Sequence, residues 1–171
     1  MKALIFFSAL LVLAVNVASG QTTSKFEHVS SKLASKAKAI SKEDYKRIQG
    51  QKFNYKPDFP SSFTFYQVDD VLINFQERTI NKSEVYSLKD KQRIYQELAN
   101  KDSLRMKLFS SETHRYGDLD YLVVHYQYQG DEWYTFFSQQ YGERKYLFGH
   151  LHFNLKDSEK AASILREILS K

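Results

Sequence analysis

The 171-residue sequence has no cysteine, two prolines, six glycines and one tryptophan. Without Cys there is no disulfide framework, zinc ribbon, thiol nucleophile or cysteine-held iron–sulfur site. No glycine-rich phosphate loop is present, no Ser sits in a nucleophile-elbow context, and no HExxH pair occurs. A large charge excess is missing too: 25 Lys+Arg against 20 Asp+Glu leave a formal net charge of +5. That surplus is small for a nucleic-acid binder, which must neutralise many phosphates. What the chain does have is 42% apolar and 15% aromatic residues. This is too apolar for a disordered chain, and the length suits one domain with a sizeable core.

The N-terminus reads as an address. Lys2 supplies a positive charge, residues 3–15 form an apolar run broken only by Ser8, and Ala18-Ser19-Gly20 places small residues at a cleavage site. The pattern predicts a secretory signal peptide over 1–20, cut after Gly20, and a secreted or periplasmic protein. The competing reading is an uncleaved membrane anchor, for which the run is short. No Cys follows the run, which excludes a lipoprotein anchor. No second long apolar run occurs, so no transmembrane segment is expected after cleavage. Residues 21–171 are expected to form a single globular domain. Asn81-Lys82-Ser83 is a glycosylation sequon, used only in a host that glycosylates it.

Along the mature chain, Phe26, Val29, Leu33, Ala37 and Ile40 follow helical spacing and predict an amphipathic helix over 23–40. Ser41 and Asp44 sit at capping-box distance and start a second short helix, with Gly50 as its stop. Residues 51–62 hold both prolines and read as a loop. Strands over 63–68 and 71–75 flank an Asp69-Asp70 turn. Ser87 and Asp90 open a helix to about Asn100, supported by Leu88, Ile94, Tyr95 and Leu98. Residues 104–115, 120–129, 132–140 and 144–155 read as four consecutive strands separated by Gly-containing turns, which implies an antiparallel meander. Asp157 caps a last helix bearing Ala161, Ile164, Leu165, Ile168 and Leu169. The fold class is therefore α+β: an antiparallel β-sheet, made of the four-strand meander plus an N-terminal hairpin, packed by helices.

Side chains alternate across a strand, so each face can be read separately. Leu147, Gly149, Leu151, Phe153 and Leu155 share one face of the last strand, expected to lie under the C-terminal helix. Tyr146, Phe148, His150 and His152 share the other. In 120–129, Leu122, Val124, Tyr126 and Tyr128 oppose Tyr121, Val123, His125 and Gln127. In 132–140, Trp133, Thr135 and Phe137 oppose Tyr134, Phe136 and Ser138. The mixed Tyr/Phe/His face is either a second core layer under the N-terminal helix or a ligand or partner surface. Its candidate binding residues are His125, Trp133, Tyr146, His150 and His152. His150 and His152 point to one side and suit a shared metal, but spacing fixes no third ligand, so no metal and no cofactor is assigned. The carboxylates Asp118, Asp120, Asp131, Glu132 and Glu143 sit at or beside turns, where polar residues are expected for backbone reasons. No catalytic residue is assigned.

The segments 117–128 (GDLDYLVVHYQY), 145–154 (KYLFGHLHFN) and 157–169 (DSEKAASILREIL) together resemble the PsbP/Mog1-like group in their order of elements. The resemblance covers residues 117–169. It implies an α/β/α sandwich around an antiparallel sheet and, as in most of that group, a binding or assembly role. It carries no functional residue over. A cone of the NTF2-like or cystatin-like kind is the alternative fold, less suited by the trailing helix. The expected function is that of a secreted, non-enzymatic binding domain for an unknown protein or small ligand, using the aromatic sheet face or a groove beside it. The alternative is a secreted small-ligand carrier or enzyme with a Tyr/Phe/His-lined pocket. An enzyme or carrier needs a deep cavity lined by some of His125, His150 and Trp133; an interaction domain needs them packed or on an open face.

Overall fold

A computed structural model describes residues 25–170. The signal-peptide reading of 1–20 and its cleavage site lie outside the described residues. No helix among the described residues is long and apolar enough to cross a membrane.

The helices begin where side chains supply the missing partners of a first turn. Ser41 Oγ accepts the Asp44 N–H at 3.0 Å to start α2 (Lys42–Lys52), and Ser87 Oγ accepts the Asp90 N–H at 3.3 Å to start α3 (Leu88–Lys101). The expected first helix is shorter than its periodicity suggested. α1 spans Lys25–Ala34, and Lys38–Ile40 instead forms an edge strand, β1. The reason is tertiary: Ala39 and Ile40 pair with Tyr66 and Phe65 of the next strand. α2 also runs past Gly50, since nothing lies within 4 Å of that glycine's Cβ position and it needs no positive φ. The last helix, α4 (Ser158–Leu169), follows one 3-10 turn over Leu155–Asp157, and Asp157 sits at its N-cap but its carboxylate accepts no capping hydrogen bond.

The strands are β2 (Thr64–Val68), β3 (Val71–Thr79), β4 (Met106–Tyr116), β5 (Leu119–Tyr128), β6 (Asp131–Ser138) and β7 (Lys145–Phe153). All neighbours are antiparallel, in the order β1-β2-β3-β7-β6-β5-β4. The meander β4–β7 and the hairpin β2–β3 are thus joined through β3 and β7. The two-residue turn between β5 and β6 has Gln129 and Gly130 both at positive φ, 52° and 91°, which matches the twist of the flanking strands.

Both faces of the sheet are covered by helices. α1 and α4 set Val29, Leu33, Ala161, Leu165, Ile168 and Leu169 against Ile73, Phe75, Val123, Phe136, Leu147 and Leu151. On the opposite face, α2 packs Tyr45 and Ile48 over Phe65 and Leu72, with Phe53 and Phe63 from the Pro-containing segment. α3 places Leu88 and Tyr95 near Leu122, Val124 and Phe137. The result is the α/β/α sandwich expected of an α+β chain, rather than a cone with an open mouth. One expectation needs correction: the mixed aromatic face is covered by α2, α3 and residues 53–63, whereas the N-terminal helix α1 lies on the aliphatic face beside α4.

Candidate functional site

The five residues singled out from sequence fall into three places. His125 lies on the α1/α4 face, where its Nε2 is 3.0 Å from Glu132 Oε2 and its ring lies 4.4 Å from Tyr134 and 4.7 Å from Phe109. Tyr146 lies on the opposite face toward the start of α3, 4.4 Å from Tyr86, beside a polar depression lined by Arg78 and Lys91. Trp133, His150 and His152 do come together, because Trp133 pairs with His152 and Thr135 with His150 across β6 and β7. Strand alternation explains the split: 125 is odd on β5, and its face carries Glu132 and Tyr134 of β6 rather than Trp133.

The Trp133–His152 cluster is packed. Trp133 is 2% exposed and His152 0%. The His152 ring is sandwiched between Phe53 at 3.6 Å and Trp133 at 3.7 Å. Its Nε2 lies 3.4 Å from Asp131 Oδ2. Asp131 is itself buried and accepts the Tyr55 backbone N–H at 2.7 Å and the Asn54 side-chain amide at 3.3 Å. Beside it, Thr135 Oγ1 is 2.8 Å from His150 Nδ1 and 3.3 Å from Tyr126 Oη. The two bonds accepted by Asp131 anchor residues 54–55 to the sheet, whereas neither ring nitrogen of His152 has a hydrogen-bond partner among the described residues. The role of those two bonds is to hold a wall in place. The two imidazoles are held differently: His150 Nδ1 is bonded to Thr135, while His152 is fixed by its ring stack between Phe53 and Trp133.

Burial pushes the His150 imidazole down to about 3, with the neighbouring His152 adding to the effect. Burial also lowers His152, opposed by Asp131. Both histidines are therefore neutral in the folded chain at neutral pH, whereas an unfolded histidine titrates near 6.5. Protonation then favours the unfolded chain. Stability is full above pH 6.5 and is lost as pH falls from there toward 3. The expected loss from His150 is about 3 kcal/mol by about pH 4, at 1.36 kcal/mol per pH unit. Urea unfolding at pH 7 and pH 4 checks this, and His150→Gln flattens the curve above the carboxylate range. An unchanged slope in that variant places the acid sensitivity elsewhere.

Next to this wall lies an open groove of about 290 Å³, lined by Tyr55, Tyr95, Leu98, Asp102, Met106, Tyr126 and Tyr128. Each side chain arrives for a local reason. Tyr126 and Tyr128 are two apart on β5 and share a face, and Met106 is the cross-strand partner of Tyr128. Tyr95, Leu98 and Asp102 follow the helical spacing i, i+3, i+7 at the end of α3. Tyr55 is delivered by the Asp131 bond to its own N–H. Its ring meets Tyr128 edge-on at 4.6 Å and Trp133 edge-on at 6.0 Å, while Tyr95 lies 5.5 Å from Tyr126. Burial holds the Tyr95 and Tyr126 phenols above their usual range, so they stay protonated and can both donate and accept. A ligand here meets aromatic surface with a few hydroxyls and one carboxylate, the composition of a small-molecule site. Of the apolar lining, Leu98 is 47% exposed; Leu104, in the turn after α3, is 100% exposed.

Sequence reasoning placed Tyr126 and Tyr128 on the Trp133 face but missed Tyr55, Asp102 and Met106. Tyr95 and Leu98 were visible only as support for a helix. A signal did exist for the α3 residues, in the i, i+3, i+7 spacing of Tyr95, Leu98 and Asp102. For Tyr55, within a Pro-containing loop, there was none. A second groove, of about 350 Å³, runs between α1 and α4 and is lined by Leu33, Val68, Ile164 and Ile168 with Lys32, Lys36 and Glu167 at its edge.

No protein-family model matches the chain, and no curated protein matches it in sequence. Among solved structures, the chain is similar to the solution structure of cyanobacterial PsbP (CyanoP) from Synechocystis, at 9% sequence identity over 78% of each chain, with a TM-score of 0.47. The α/β/α arrangement around an antiparallel sheet is read from this structure's own strand order and helix packing.

Proposed function

We propose that this chain is an exported, non-enzymatic binding domain whose ligand site is the tyrosine-lined groove between α3, β5 and residues 53–55. The observation that carries the reading is the groove itself: four tyrosines from three separate segments converge on one open concavity of about 290 Å³. Export rests on the positive, apolar and small-residue pattern of residues 1–20. The non-enzymatic reading is supported by the positions of the groups that acid–base chemistry would use. His150 and His152 are packed into the wall, and the groove lining holds a single carboxylate.

Native mass spectrometry of the chain exported by its own host tests the reading. The expected result is a chain that begins at Gln21 and carries extra mass lost on denaturation. Tyr55→Ser and Tyr128→Ser, both on half-buried residues, abolish the extra mass, whereas Ile164→Ser in the α1/α4 groove leaves it. Retention of the mass in both tyrosine variants, with its loss in Ile164→Ser, would move the site to the other groove.

A further inference from the structure

We infer that the tyrosine-lined groove selects a small organic cation, of the alkylammonium class, over a neutral molecule of the same shape; this rests on the reading of the groove as a ligand site. Three sources of negative potential meet there. The first is the set of phenol rings of Tyr55, Tyr95, Tyr126 and Tyr128, whose π-systems attract cations over their faces. The second is the Asp102 carboxylate, part of the same lining. The third is the C-terminal end of α3, where Asp102 is the capping residue and the helix carries its negative partial charge.

No basic side chain is among the lining residues. Two basic residues lie close to Asp102 in sequence. Arg105 is exposed and holds Asp102 through Nε to Oδ1 at 2.9 Å, and Lys101 belongs to the last turn of α3. The Arg105 bond engages Asp102 Oδ1, and Oδ2 is the oxygen that would meet a ligand's ammonium group. The apolar remainder, Leu98 and Met106, suits the methyl or methylene groups of an alkylammonium ion better than a hydrated metal ion, which wants several oxygen ligands. The buried His150 and His152 lie behind the wall and add no positive charge at neutral pH.

The test titrates the full chain with choline and with 3,3-dimethyl-1-butanol, its uncharged isostere, by calorimetry or ligand-observed NMR. The expected result is choline binding at least about tenfold tighter than the isostere. Asp102→Asn narrows the ratio, and so does high salt. Asp102 is on the surface at a helix end, so the variant folds; circular dichroism verifies that. Equal affinity for the two probes, unaffected by Asp102→Asn, overturns the cation preference and leaves the groove standing as a site for neutral amphipathic ligands. Failure of choline to bind, with a retained ligand still lost in Tyr55→Ser and Tyr128→Ser, overturns this inference alone; failure of choline together with retention of that ligand in both tyrosine variants overturns the groove reading as well.

Discussion

Trp133→Ala lowers the stability of the fold by about 3–5 kcal/mol, the range for emptying a buried aromatic site. The indole is 2% exposed, stacks on His152 at 3.7 Å and touches Tyr55 edge-on at 6.0 Å. Removing it therefore leaves a cavity between β6 and the 53–55 segment and withdraws the support under one groove wall. At this chain length the loss corresponds to a fall in Tm of roughly 6–20 °C. The indole N–H has no partner among the described residues. Trp133→Phe keeps most of the ring contact and removes that orphan donor, so its cost is expected to be about 1 kcal/mol. Thermal and urea unfolding measure both. Equal stability of Trp133→Ala and the parent chain would take Trp133 out of the core and put the aromatic face itself forward as the binding surface.

Gly149→Ala destabilises by about 3 kcal/mol, near the upper end for overpacking. Gly149 sits in β7 at the middle of the sheet, paired with Phe75 of β3 and Phe136 of β6. A Cβ there meets Phe75 Cβ at 2.5 Å, the Asn74 carbonyl oxygen at 2.6 Å and Phe136 Cζ at 2.6 Å. Two of these atoms belong to or sit directly on backbone held by the ladder, so the strain cannot be relieved by a side-chain rotation. The glycine keeps β3 and β6 in contact across their shared neighbour and lets Phe75 and Phe136 close over the strand. Gly50→Ala is the control. It lies within α2 with nothing near its Cβ position and is expected to raise stability by about 0.5–1 kcal/mol. Loss of stability in Gly50→Ala together with tolerance in Gly149→Ala would contradict the packing described.

The meander was legible because its turns are strong local signals and its strands are long. The expected 120–129 and 132–140 strands differ from β5 and β6 by one or two residues at each end. The two-faced character of β7 was legible too, since Leu147 and Leu151 do face α4 while His150 and His152 face the other way. What covered each face was not. The Phe26–Ile40 stripe reads equally as one helix, and only the ladder from Ala39 and Ile40 to β2 ends it early. The site was half legible for the same reason. Alternation within one strand groups Tyr126 with Tyr128, yet no local pattern says that Asp131 holds the Tyr55 amide, or that the end of α3 lies over β5. The error over His125 came from pooling residues of different strands before their register was known. Across β5 and β6, His125 pairs with Tyr134 and Tyr126 with Trp133, and that pairing sends His125 to the far face.

The central claim is that the tyrosine-lined groove is where this chain binds its ligand, and ring signals of the tyrosines report on it directly. The 12 tyrosines of the chain, labelled with carbon-13 and assigned by single Tyr→Phe substitutions, give one set of ring resonances each. The full chain is titrated with a panel of small amphipathic molecules that includes choline. The expected result is that the rings of Tyr55, Tyr95, Tyr126 and Tyr128 shift together and saturate with one affinity, while Tyr66 and Tyr121, packed under α1 and α4 on the opposite face, stay in place. Shifts confined to Tyr66 and its neighbours by the α1/α4 groove, or no shift in any ring across the panel, would contradict it.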